Sequence, residues 1–135
     1  MTIIPGHVLA LKLPFVNGAP CFSKRPFLVI EKQGNILNLL NVSSTKGKEK
    51  KLLYPSNEPI KEYDPPLDQP SFLKMDELYT IDYFENLHKS IYKRRAPINT
   101  LEFERLISEY MKYKHLYEVT NVKYLASKVK QENFL

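Results

Sequence analysis

Arg25-Pro26-Phe27-Leu28-Val29-Ile30 is the stretch that decides how this chain folds. Pro26 lacks a backbone N–H, so it suits a strand start or a sheet edge and not a strand middle. Phe27 to Ile30 are apolar, bulky and partly β-branched, which reads as a short buried strand. Arg25 then sits at the mouth of that strand, its backbone fixed by the core and its guanidinium expected to face out. A second run, Ile36-Leu37-Asn38-Leu39-Leu40-Asn41-Val42, follows after Gln33-Gly34-Asn35 and ends in Ser43-Ser44-Thr45. Gly-Asn between two apolar runs is a hairpin signal. Pairing the two strands brings an arginine and a cluster of hydroxyls to one edge of the sheet.

Working outward, Gly6 to Leu13 reads as a first strand after the Pro5-Gly6 turn signal. Residues 14–25 carry Pro14, Asn17, Gly18, Pro20 and Ser23, the chemistry of a loop. Lys46 to Lys51 form a basic loop, and Leu52-Leu53-Tyr54 suggest a short edge strand. Residues 55–70 hold five prolines and read as an irregular surface excursion. Ser71 to Asp82 reads as a strand with a bulge or bend near Met75-Asp76, and a last short strand is expected around Leu87 to Tyr92. The C-terminal third changes period. Asn99 is placed to cap a helix with Glu102 three residues on, and Phe103, Leu106, Ile107, Tyr110 and Met111 follow helical spacing. A second helix is expected from Asn121, with Val122, Leu125, Ala126 and Val129 on one face. Several short strands followed by helix make an α+β domain built on a small barrel or partly open barrel.

A chain of 135 residues fits one domain, 1–135, with a core that needs no disulfide or metal. Cys21 is the only cysteine, which points to a reducing, cytoplasmic setting. No basic segment followed by a long apolar run opens the chain, and no stretch has the apolar length of a membrane span. The net charge of +5 fits a polyanionic partner and equally a solvated surface. The three histidines, His7, His88 and His115, show no metal-ligand spacing, so no metal or other cofactor is expected.

Three places resemble the MazF/PemK family of toxin–antitoxin ribonucleases. Gly6-His7-Val8 is similar to the family's opening Gly-Asp-Val strand, and Arg25 to Ile30 to its Arg-Pro-x-x-Val-Ile strand. Ser71 to Asp82 follows its Ser-x-x-x-Leu-Glu-Gln-Ile-Arg-Thr-Ile-Asp pattern. The order and spacing fit over residues 5–116. The chain departs from the family at His7, at Asn17 to Phe22 where Gly-Ser-Glu-Gln is usual, in the 55–70 segment, and in a C-terminal extension, 118–135. The resemblance implies an SH3-like barrel of the MazF/PemK/CcdB kind with a C-terminal helix. It implies a homodimer, a cognate antitoxin protein as partner, and metal-independent, sequence-selective cleavage of single-stranded RNA.

That cleavage needs the 2′-hydroxyl deprotonated, the phosphorane charge stabilised and the leaving 5′-oxygen protonated. By position the resemblance assigns the family's arginine and strand-end hydroxyl to Arg25 and Ser43, with Ser44 or Thr45 as alternatives. Arginine stays protonated, so its physical role is charge stabilisation. The structural alternatives are that it caps the strand end or pairs with Glu31 or Asp76. His7 titrates near neutrality and is a candidate acid or base, or a structural residue. Lys24, Thr45, Lys46, Lys48 and Lys50 are candidates to follow phosphates, and Phe22, Tyr54 and Tyr63 to stack unpaired bases. The same barrel hosts gyrase poisons, so the alternatives are a toxin that binds a protein target and a nucleic-acid-binding module without chemistry.

Overall fold

The computed structural model describes residues 2–135. Six strands form one sheet: β1 (Val8–Leu11), β2 (Arg25–Gln33), β3 (Ile36–Ser44), β4 (Asn57–Ile60), β5 (Ser71–Asp82) and β6 (Thr120–Tyr124). Among the described residues there are two α-helices, α1 (Thr100–Leu116) and α2 (Ala126–Asn133). The strand order is β1-β2-β3-β5-β4, with β6 also on β5, and every pairing is antiparallel except the parallel β5–β6. The fold is therefore mixed α+β. Its sheet is not closed into a barrel, because β1 and β4 end the path without pairing to each other.

β5 is the strand around which the sheet bends. Along the β3 ladder, Leu40 pairs with Leu78 and Val42 with Leu73, so two steps on β3 face five on β5. The surplus is the bend expected at Met75-Asp76. The other edge of β5 is divided, with its first half pairing β4 and its second half β6. Both faces of the sheet are covered. One carries Leu9, Phe27, Val29, Leu39 and Tyr79 against Phe84, Leu87 and Val129 of α2. The other carries Val8, Leu28, Leu40 and Leu73 against Ile60, Leu67 and Leu106 and Tyr110 of α1.

The β2–β3 hairpin turns through Gly34 at φ +61°, with Gln33 opposite Ile36, as Gly-Asn predicts. Gly6 has φ +99°, and a Cβ there would lie 3.2 Å from Pro97 Cβ, so only glycine fits. Asn99 caps α1, its side-chain oxygen accepting from the Glu102 amide at 3.0 Å. Half of the expected capping box forms. The Glu102 carboxylate turns away to accept from the Lys61 amide at 2.5 Å and the Arg105 side chain at 2.7 Å, which ties α1 to the end of β4.

Four sequence expectations are corrected. Leu52-Leu53-Tyr54 is not an edge strand; Glu49–Leu53 is a 3-10 turn. Leu87 to Tyr92 is not a strand but two 3-10 turns, Glu85–Ser90 and Tyr92–Arg94, with one isolated bridge from Ile91 to Leu9. The 55–70 segment contains a regular element, β4, whose Pro59 is tolerated because β4 ends the sheet. No helix starts at Asn121: residues 120–124 form β6, and the helix begins at Ala126. Among the described residues, no helix is long and apolar enough to cross a membrane.

Candidate functional site

A cleft of about 820 Å³ opens where the start of β2, the end of β3 and the bent middle of β5 meet. Arg25 stands at the head of β2, opposite Leu11 of β1. Ser43 and Ser44 close β3, opposite Phe72 and Ser71. All three line the cleft, together with Lys24, Lys48, Lys51, Tyr54, Asn57, Asp68, Lys74 and Asp76. The β2–β3 pairing thus brings together the arginine and the hydroxyls that the sequence placed at one edge. Five cations face two carboxylates, a balance that favours an anionic ligand.

Arg25 is not a free, outward-facing side chain. Its guanidinium lies 4.2 Å from the Phe15 ring centre, 5.2 Å from that of Phe27 and 5.7 Å from that of Tyr79. Nη2 donates to the Leu13 carbonyl at 2.9 Å, while Nε is buried without a partner. The alternative pairing with Glu31 or Asp76 does not form; Arg25 makes no ion pair among the described residues. A planar cation clamped by rings and one carbonyl is held in a fixed orientation at the cleft. Below it, Tyr79 is 1% exposed and donates to Glu77 Oε2 at 3.0 Å. Burial, aided by the Glu77 charge and opposed by Arg25, pushes its hydroxyl up to about 12.

Lys48 Nζ donates to Ser43 Oγ at 2.9 Å, which fixes a cation and a hydroxyl together at the rim. The Ser44 hydroxyl accepts from the Lys46 amide at 3.3 Å. Asp76 has one carboxylate oxygen buried without a partner. Asp68 is bound by Tyr92, Lys93 and Arg95, and hydrogen bonds from those two cations hold its carboxyl far below the usual range. That cluster ties residues 66–68 to the 92–95 turn, where Lys93 and Arg94 adopt φ of 49° and 55°.

His7 does not line the cleft, and its chemistry is that of a turn. It is buried, and its Nδ1 accepts from the Ile4 amide at 3.0 Å. Burial lowers its pKa. Phe22, Thr45, Lys46 and Lys50 also lie outside the cleft lining, and Phe22 is 84% exposed. Lys74, Asn57 and Asp68 are cleft residues that the sequence reading did not single out. Lys74 had a signal, since it adjoins the predicted bend; Asn57 and Asp68 had none, because β4 and its neighbouring loop were read as irregular. Among the described residues, no group of three or more His, Cys, Asp or Glu side chains is placed to hold a metal ion. No protein-family model matches the chain, and no curated protein matches it.

Proposed function

We propose that this chain is a metal-independent, sequence-selective endoribonuclease toxin of the MazF/PemK kind, cleaving single-stranded RNA by 2′-hydroxyl attack. In this reading the bent sheet is an opened SH3-like barrel, and the active form is a homodimer held in check by an antitoxin protein in the cytoplasm. One observation carries the proposal: Arg25 at the head of β2 and Ser43 and Ser44 at the end of β3 line a single cleft with a cationic excess. The Arg25 guanidinium is suited to stabilise the phosphorane, since a preorganised donor of that kind contributes about 10²–10³ in rate. Ser43, held by Lys48, supplies a second donor to the same phosphate. Asp76 lines the cleft and is free of the ion pairs that occupy Asp68, which makes it the cleft's candidate proton acceptor for the 2′-hydroxyl.

The test is incubation of purified protein with long single-stranded RNA in EDTA, beside Arg25→Ala and Ser43→Ala. Discrete cuts by the wild type, lost in Arg25→Ala with its circular dichroism intact, are expected. Cutting that survives Arg25→Ala in the folded variant removes Arg25 from the chemistry. RNA binding without any cutting would favour a binding module, and indifference to RNA would favour a protein target such as gyrase.

A further inference from the structure

We propose that the C-terminal β6–α2 segment positions the Arg25 guanidinium, with Tyr124 and Asn133 as the positioning residues; the catalytic meaning of this rests on the nuclease reading above. Four consecutive residues directly after β1 carry the link. Lys12 is gripped by the tail: its amide donates to Asn133 Oδ1 at 2.7 Å, and Asn133 Nδ2 donates to its carbonyl at 3.0 Å. Leu13 is gripped by Arg25, whose Nη2 donates to its carbonyl. Pro14 is gripped by the tail again, its carbonyl accepting from the Tyr124 hydroxyl at 2.5 Å. Phe15 returns to Arg25, its ring under the guanidinium. Tail and arginine therefore alternate along one backbone segment, and neither can shift without moving the other's acceptor.

A second path runs through rings. Tyr124 stacks on Tyr79 with centres 6.3 Å apart and planes 13° from parallel. Tyr79 meets Phe27 edge-on at 5.0 Å, and both rings lie against Arg25. Proline at position 14 has no N–H, so its carbonyl is the one backbone group it offers, and Tyr124 takes it. The tail itself is well anchored: Val129 is fully buried and Asn133 Nδ2 also donates to the Val129 carbonyl. The segment that extends the chain beyond α1 thus reaches the cleft's central cation from behind.

The experiment follows the Arg25 Nε–Hε resonance, assigned by its loss in Arg25→Lys, in ¹⁵N-labelled full-length protein. Tyr124→Phe keeps the stack and loses the bond to Pro14, Tyr124→Leu loses both, and Asn133→Ala releases Lys12. Phe134→Ala, at an exposed tail residue, is the control. The expected result is a displaced or broadened Arg25 signal in the first three variants and an unchanged one in the control. RNA cleavage should fall about tenfold in kcat with KM held, the cost of a misplaced catalytic group. An Arg25 signal that stays in place in folded Tyr124→Phe and Asn133→Ala overturns the proposal. If the wild type cuts no RNA, the nuclease reading fails while the resonance still decides the positioning; if it cuts and the signal stays, only the positioning fails.

Discussion

At the head of β2, Phe15, Phe27 and Tyr79 fold over the Arg25 guanidinium, whose Nη2 donates to the Leu13 carbonyl. The enclosure makes a prediction. Arg25→Lys keeps the charge but loses the flat stacking surface and fixed donors, so cleavage should drop by about 10²-fold or more in single-turnover assays. Denaturant unfolding should show a loss of about 1–2 kcal/mol, from the bond to Leu13 and the ring contacts. No local pattern could show that enclosure, because Phe15 comes from a loop and Tyr79 from a strand 54 positions away. His7 yields a second. Its folded pKa lies below the unfolded 6.5, so the stability that its neutral ring contributes is present above 6.5 and is lost as pH falls from there through the lower folded value. Melting curves from pH 8 to 5 should show a decline in that window that His7→Asn lessens, since an asparagine oxygen can still accept from the Ile4 amide.

At the scale of elements, what was legible depended on whether local pattern and tertiary contact agree. β5 was read with its bounds and its bend because alternation, composition and the Met75-Asp76 kink coincide there. The start of α1 was legible from Asn99 alone. Residues 120–124 read as helix because Val122, Leu125, Ala126 and Val129 also fit a helical period; only pairing with β5, 43 residues back, selects the strand. The 3-10 turn at Glu49–Leu53 leaves Leu53 exposed, a placement that an apolar pair does not announce. Asn99→Ala should cost about 1 kcal/mol in denaturant unfolding through the lost cap. Glu102→Ala should cost more, about 2–3 kcal/mol, because it frees two backbone amides of the β4 end and half the Arg105 pairing at a buried site. Burial raises the Glu102 pKa, but Arg105 and the Lys61 and Glu62 amides outweigh it and hold the carboxyl below its usual value. This stabilisation is present at neutral pH and fades as pH falls through the carboxylate range.

At the scale of the molecule, two apolar layers flank one bent sheet, and the bend opens the cleft. The α+β mixture was legible in the sequence from its change of period. The choice between a closed and a partly open barrel was not, because it depends on whether β1 and β4 pair with each other, and they do not. The cationic lining predicts salt-sensitive binding. A single-stranded oligonucleotide contacting three or four phosphates should bind roughly thirtyfold more weakly at about 200 mM than at about 50 mM salt. Lys74→Ala should lower that salt slope and affinity while leaving the melting temperature in place.

The most direct measurement uses two short RNAs around a mapped cut, one all-ribose and one with a single 2′-deoxy sugar 5′ to the scissile phosphate, both incubated with wild-type protein in EDTA. Attack by the 2′-hydroxyl predicts that the first is cut to a cyclic or 3′-phosphate end and the second stays whole. Cutting of both oligonucleotides, or no mapped cut on any single-stranded RNA by the folded protein, would contradict the account.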